Sequence, residues 1–170
     1  MDHTLKIESL VERLMAGEAP LSLGELHTLL FSSVEEIANA ANDVDESTDY
    51  VLEAALEQLA GQAQVSAELV ARVESHWLYI DHVPGGTSYE VAVRCAEFLA
   101  QKHREKGISD TNLETWAGSH DWRVRLVCAW CVREAAEGTA RTIRAQLAQD
   151  PFQDDDGMYL IREGAGHYDD

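Results

Sequence analysis

The residues with the most evident chemical potential lie in the segment DWRVRLVCAWCVRE, residues 121–134. It holds three arginines, two tryptophans and two cysteines. Arginines interleaved with aromatic residues could bind a nucleic acid. Two cysteines three residues apart could contribute to a metal site. The same residues could also simply pack as a helix in the core.

The spacing within this segment favours packing. A zinc site needs four ligands, whereas Cys128 and Cys131 supply two, and no second CxxC or HxxxH motif occurs in the chain. Free cysteines are commonly buried as small hydrophobic residues. Arg123, Arg125 and Arg133 do not share one helix face, as a helix that reads a nucleic acid would require. We therefore predict a buried helix, with no metal ion and no cofactor.

A second possible metal site lies in FQDDDGMYLIRE, residues 152–163. Asp154, Asp156, Gly157 and Glu163 occupy the third, fifth, sixth and twelfth places of a calcium-binding loop pattern. The first place, where an acid is required, is Phe152. The segment is therefore predicted to be an acidic turn that precedes the last helix, where carboxylates are favourable.

Histidines provide the remaining enzyme hypothesis. His76 and His82 flank WLYID and precede the Pro84-Gly85-Gly86 turn. A catalytic histidine needs an orienting acid and a nucleophile, and no nucleophile-elbow, phosphate-loop or dinucleotide motif is present. No catalytic residue is predicted, and an enzyme that uses residues 76–86 remains the alternative from another functional class.

The charge distribution is the strongest global feature. The chain carries 31 acidic and 13 basic residues, a net charge of −18, and no basic residue lies between Arg13 and Arg72. Such a negative field repels nucleic-acid phosphates and anionic membranes, but it attracts a basic protein. The alternative explanation is solubility alone. The acids in this interval are Glu18, Glu25, Glu35, Glu36, Asp43, Asp45, Glu46, Asp49, Glu53, Glu57 and Glu68.

These residues are positioned by helices almost throughout the chain. Apolar residues recur at helical spacing, and no segment alternates with the period of a strand. Capping boxes are predicted at Ser22/Glu25, Ser33/Glu36, Thr87/Glu90 and Thr111/Glu114, and a further N-cap at Asp121, whose helix should end at Gly138. We expect about ten helices in a single domain of residues 1–170.

Length and composition also suggest a location. No stretch approaches the roughly 18 apolar residues of a membrane span, and the N-terminus does not resemble a signal peptide. Three cysteines without a disulfide framework suit a reducing compartment. A cytoplasmic protein is therefore predicted.

Two internal similarities suggest repeats. LEQLAGQAQVSAELVARV, from residue 56, aligns without gaps with LETWAGSHDWRVRLVCAW, from residue 113, an offset of 57 residues. Val93-Arg94, Val124-Arg125 and Ile161-Arg162 repeat at spacings of 31 and 37 residues. Such periods are typical of stacked helical hairpins.

WAGSHDWRVRLVCAWCVRE resembles the turn and second helix of a HEAT-type repeat, and LAQDPFQDDDGMYLIREGAGH is similar. The resemblance is clear over residues 113–167 and weak over residues 51–99. It implies a short right-handed stack of antiparallel helix pairs, an all-α solenoid. It also implies that Arg125 and Arg162 form a ladder with turn acids, with Asp156 before Arg162 and Ser119 in the equivalent place before Arg125.

These features predict an acidic module that binds and neutralises a basic protein, and not a nucleic acid or a membrane. In size and charge it is similar to the immunity proteins that block basic nuclease toxins. The alternative within binding proteins is a DNA mimic that inhibits a DNA-binding enzyme. The residues predicted to contact the partner are Glu36, Asp43, Asp45, Glu46, Asp49, Glu53, Trp77 and Tyr79.

Overall fold

The computed structural model describes residues 3–17 and 19–166, so Glu18 and His167 of the segments above lie outside the described residues. Within these ranges all regular elements are helical, which confirms the all-α prediction. None of the described helices is long and apolar enough to cross a membrane. The helices are α1 (His3–Ala16), α2 (Leu23–Leu30), α3 (Val34–Asp43), α4 (Thr48–Ala60), α5 (Ala67–Arg72), a π-helical segment (Val73–Leu78), α6 (Ser88–Lys106), α7 (Asp110–Ala117), α8 (Trp122–Val132), α9 (Gly138–Leu147) and α10 (Leu160–Gly164).

The chain divides into two compact units, Met1–Phe98 and Leu99–Asp170, and the boundary falls within α6. The expectation of a single domain stays a prediction. The two units differ sharply in charge. Unit 1 carries 18 acidic and four basic residues, whereas unit 2 carries 13 acidic and nine basic residues.

In unit 1, α1 packs against α2, α3 and α4, and α4 also packs against α2 and α3. The core between them is aliphatic, because each helix buries the apolar stripe that its sequence predicts. Trp77, from the π-helical segment, is fully buried, and its Nε1 donates a hydrogen bond of 3.0 Å to the Leu30 carbonyl. Buried aliphatic side chains include those of Ile7, Leu10, Val11, Leu26, Leu29, Ile37, Leu52, Leu56 and Leu59.

Two helix starts in unit 1, those of α2 and α3, follow the predicted capping boxes. Ser22 Oγ accepts a hydrogen bond from the Glu25 amide at 3.1 Å, and Glu25 Oε1 accepts one from the Ser22 amide at 3.0 Å. Ser33 and Glu36 form the same pair of contacts at the start of α3. Each box provides hydrogen-bond acceptors for two backbone amides at the start of its helix. These amides would otherwise lack partners.

In unit 2, α8 packs against α7, α9 and α10, and α7 also packs against α9. Leu126, Cys128 and Ala129 of α8 are fully buried. Cys128 Sγ lies 3.5 Å from the Leu113 carbonyl of α7. The centre of the segment with which the sequence analysis began therefore packs in the core, as predicted, because α7, α9 and α10 contact its helix.

Two predicted helix limits in unit 2 are wrong. α7 is capped by Ser109, whose Oγ accepts from the Asn112 amide at 3.1 Å, and it begins before Thr111. α8 ends at Val132, and Gly138 is the first residue of α9, with a φ of 71°. A glycine that adopts positive φ is common just after a helix, so its type alone does not show which of two helices it borders.

Arg125 and Arg162, the two arginines predicted to form a ladder, both contact Asp150. Arg125 Nε and Nη2 contact the Asp150 carboxylate at 2.8 and 3.3 Å, and Arg125 Nη1 donates to the Ser119 carbonyl at 2.9 Å. Arg162 Nε donates to the Asp150 carbonyl at 2.8 Å. The assignment of Asp156 to this ladder was wrong, because Asp156 is exposed on the turn while Asp150, at the end of α9, lies between both arginines.

The acidic turn before α10 is held by one of its own carboxylates. Asp154 Oδ1 accepts hydrogen bonds from the amides of Asp156 and Met158, each at 2.9 Å. The Asp154 amide donates to the Met158 carbonyl at 3.0 Å. These contacts make Asp154 a turn-forming residue, as short polar side chains commonly are.

Candidate protein-binding surface

The structure divides the eight predicted contact residues by exposure. Asp43, Asp45 and Tyr79 are exposed, and Glu36, Glu46 and Glu53 are half-buried. Asp49 and Trp77 are buried, with exposed fractions of 5% and 0%. A partner can reach only the first two groups.

Trp77 and Asp49 are therefore corrections to the predicted surface. Trp77 is a core residue because its large apolar ring fills unit 1 and its one donor is satisfied internally. Asp49 Oδ1 accepts from the Tyr50 amide at 3.0 Å and from the Ser47 hydroxyl at the start of α4. The carboxyl group of Asp49 also packs against Gly86, where an added Cβ would lie only 2.3 Å from Asp49 Cγ. Asp49 thus joins a helix start to a loop.

Two of the acids in the interval without basic residues are nevertheless paired with cations from outside it. Arg13 contacts both carboxylate oxygens of Glu25, with Nη2 3.2 Å from Oε1, and this contact lowers the pKa of Glu25 to about 2. Arg94 Nε lies 3.8 Å from Glu53 Oε1. The negative field is therefore less continuous than the sequence indicates.

A group of acidic side chains lies between α1 and the end of α3. Glu8 and Glu12 of α1 face Asp43 and Glu46 at the end of α3 across a groove of about 440 Å³. None of these four carboxylates forms an ion pair with any residue in the described part of the chain. The remaining lining residues are Met15, Ala16 and Val44. We call this feature the acidic groove.

The groove combines two chemical properties. Its carboxylates attract cations, and the apolar side chains of Met15, Ala16 and Val44 offer contact to hydrocarbon. Lysine and arginine side chains have the same two parts, an aliphatic stem and a charged head. The geometry therefore suits the side chains of a basic protein segment.

The end of α3 carries this charge at a cost to stability. Asp43, Asp45 and Glu46 lie at the C-terminal end of the helix, where the helix dipole is negative. Asp45 adopts a φ of 63°, which is unfavourable for a residue with a side chain. The Glu46 amide closes the helix by donating to the Ala41 carbonyl at 2.9 Å.

A second carboxylate cluster lies in unit 1 outside the groove. Ligand atoms of Asp49, Glu53 and Glu90 lie within 4.8 Å of one another. Burial, the hydrogen bond to Asp49 and the nearby charges of Glu53 and Asp49 raise the pKa of Glu90. Calcium takes six to eight oxygen ligands, and Arg94 already opposes the charge of Glu53. We therefore assign no ion to this cluster.

The histidine segment does not form a catalytic arrangement among the described residues. His76 is half-buried with its ring edge-on to Trp77 at 4.5 Å, and burial lowers its pKa. His82 and Asp81 are exposed. In the part of the chain that the structure describes, neither histidine forms a side-chain hydrogen bond with an acid or a nucleophile.

The thiols are likewise held in their inert form. Burial raises the pKa of all three thiols. The pKa of Cys128 rises to about 12 and that of Cys131 to about 11. Only the thiolate is nucleophilic, and these values leave almost none at neutral pH. The three cysteines are free.

Three residues of this surface were missed in the sequence. Glu8 and Glu12 are separated by one helix turn, but only the packing of α1 on α3 brings them to Asp43 and Glu46. Tyr50 has an exposed fraction of 58%, the highest of the large hydrophobic side chains in the described residues. Its position next to the predicted acids was the available indication.

The fold and the surface define an all-α protein with a strongly acidic first unit. Comparisons of the chain with protein-family models, with curated proteins and with solved structures found no match.

Proposed function

We propose that the chain is an acidic protein-binding module that takes a basic segment of another protein into the acidic groove. The observation that carries this proposal is a groove lined by four carboxylates, which form no ion pair with the described residues, together with Met15, Ala16 and Val44. A basic segment supplies cations to these carboxylates and covers the apolar side chains beside them. Such complementarity raises the association rate and selects basic partners.

The difference in charge between the two units also favours unit 1 as the part that binds a basic partner. Unit 1 has a large excess of acids, whereas unit 2 is closer to balance. The acids at the end of α3 oppose the helix dipole and one of them has a strained backbone. Unfavourable placements of this kind are expected where function, and not stability, determines the residue.

We further propose that the helices form a HEAT-like stack. The contacts of α7 with α8 and α9, and of α8 with α10, are those expected of two adjacent helix pairs. The Arg125 and Arg162 contacts to Asp150 link successive turns in the manner of the predicted ladder. In unit 1 the contacts of α1 with α3 and of α2 with α4 have the same spacing along the chain.

The consequence for the partner is neutralisation. A basic nuclease or other DNA-binding protein carries the cations that the groove lacks, so the groove would compete with the nucleic acid for them. The immunity-type interpretation and the DNA-mimic interpretation share this chemistry. They differ in the partner, which is a toxin in the first case and a DNA-processing enzyme in the second.

The test begins with affinity capture from the organism that makes the chain, followed by calorimetry with the purified partner. The variant Glu8→Lys/Glu12→Lys reverses the α1 side of the groove and should weaken binding at least about tenfold, since close charge pairs at interfaces contribute above 1.4 kcal/mol. The matched control is Glu57→Lys/Glu68→Lys, which makes the same charge change at exposed acids of unit 1 outside the groove.

Equal loss of affinity in both double variants would mean that only net charge matters, and the groove would be rejected as the site. Retained affinity in the groove variant would reject it as well. Inhibition assays with the captured partner then separate the two interpretations. A blocked toxin supports the first, and a blocked DNA-processing enzyme supports the second.

A further inference from the structure

One face of α9 presents cationic side chains over small apolar ones. Positions i, i+3, i+4 and i+7 of a helix share a face. These positions carry Arg141, Arg144 and Ala145 in α9 and Ala148 just after it, and the two residues that follow α10 complete the lining. The pocket has a volume of about 240 Å³ and is lined by Arg141, Arg144, Ala145, Ala148, Ala165 and Gly166.

Arg144 is held in place by the backbone. Its Nε donates to the Ala165 carbonyl at 3.1 Å, and its Nη1 donates to the Ala135 carbonyl at 3.3 Å. A guanidinium has five N–H groups, so three remain for another acceptor. A Cβ added at Gly166 would lie 3.3 Å from Nη2 of Arg144. Because residue 166 is a glycine, its side chain does not cover this nitrogen.

Arg141 has no such anchor. It is exposed, and its side chain forms no hydrogen bond or ion pair with a residue of the described ranges. This is notable in a chain with 31 acidic residues. The pocket therefore holds several strong donors, and its alanine floor supplies no side-chain acceptor for them.

We propose that this pocket binds one oxyanion group, a carboxylate or a phosphate, between Arg141 and Arg144. Guanidinium groups match the planar or tetrahedral oxygens of such anions and form charge-assisted hydrogen bonds with them. Ligand pockets for whole drug-sized molecules have volumes of about 300–1,000 Å³. The smaller pocket suits a single anionic end group. The site lies in unit 2 and does not depend on the acidic groove.

The test uses two probes, inorganic phosphate and acetate, titrated into the full chain and followed by NMR of the arginine side chains. Sodium chloride at matched ionic strength gives the reference for screening. Saturable shifts of the Arg141 and Arg144 signals with either probe support the site. A tenfold preference for phosphate identifies a phosphate group as the ligand, and a tenfold preference for acetate identifies a carboxylate. Shifts no larger than those with chloride overturn the proposal.

Variants separate the pocket from general charge. Arg141→Gln should weaken phosphate binding about tenfold, the usual effect of losing a hydrogen bond to a charged group. Lys106→Gln, which removes an exposed charge from the same unit, should leave it unchanged. Ala145→Glu places a carboxylate in the pocket and should abolish binding. Circular dichroism verifies that the variants fold. Unaltered phosphate binding in both Arg141→Gln and Ala145→Glu would overturn the proposal.

Discussion

Arg125 and Asp150 form a two-pronged ion pair, with Nε 2.8 Å from Oδ2 and Nη2 3.3 Å from Oδ1. The side chains are 17% and 7% exposed. Asp150 Oδ1 also accepts from the Phe152 amide at 3.0 Å. The pair therefore joins α8 to the segment that follows α9 and fixes the start of the turn there.

Replacing Arg125 by alanine should lower the free energy of unfolding by about 1–3 kcal/mol, because a buried carboxylate loses its partner. Urea denaturation measures this loss. Arg141→Ala removes an exposed arginine from the same unit and should stay within about 0.5 kcal/mol of the parent. A double-mutant cycle with Asp150→Ala should show coupling. Additive effects would mean that the pair does not contribute as a unit.

Asp45→Gly should raise the free energy of unfolding by about 1 kcal/mol. Asp45 has a φ of 63°, and a glycine adopts this conformation without steric penalty. Thermal denaturation of both proteins measures the change. Asn39→Gly is the control, because it places glycine within α3, where no strain is relieved and the helix loses stability. A parallel loss in both variants would show that Asp45 is not strained.

Gly86→Ala should destabilise unit 1 by more than about 1 kcal/mol. The added Cβ would lie 2.3 Å from Asp49 Cγ, so the buried carboxylate or the loop must move. Gly24→Ala, in α2 with no atom nearer than 4.0 Å, should instead stabilise the protein by about 0.4–1 kcal/mol. Chemical denaturation of the two variants should give shifts of opposite sign. A Gly86→Ala variant as stable as the parent would contradict the placement of Asp49.

The cysteines should resist modification in the folded protein at pH 8. The pKa values of about 11 for Cys131 and about 12 for Cys128 leave the thiols protonated, and unfolding should expose all three. Because the folded state holds these protons more tightly, its stability should fall as pH rises above about 8.5. A disulfide-exchange reagent counts reactive thiols with and without denaturant. Rapid labelling of the native protein would contradict the burial.

Reversal of Asp43, Asp45 and Glu46 to lysine should slow association with a basic partner and flatten the dependence of the rate on salt. Asp49 is left out of this variant because it is buried and cannot be reversed without loss of stability. Stopped-flow kinetics measures the rate. Glu57, Glu68 and Glu74, reversed together, provide the control with equal net charge. If the two triple variants associate at the same rate, the acids around the groove act only through net charge.

The features that the sequence predicted well are those determined over a few residues. The boxes at Ser22 and Ser33 and the cap at Asp121 form as expected, because each depends on local hydrogen bonds. Asp150 was missed in favour of Asp156 because the choice depends on the course of a long turn. Asp49 was placed on the surface because its type suggests exposure, and only tertiary structure reveals the loop that covers it.

The order in which helices contact each other has a consequence for the speed of folding. In unit 2 the principal contacts join helices one or two positions apart, and the Arg125–Asp150 pair closes a separation of only 25 residues. Short separations require little loop-closure entropy, and chains rich in such contacts fold within microseconds to milliseconds. In unit 1 the contact between α1 and α4 joins helices that are three positions apart in the chain. Its loop closure therefore costs more entropy. We therefore expect unit 2 to acquire its native contacts first.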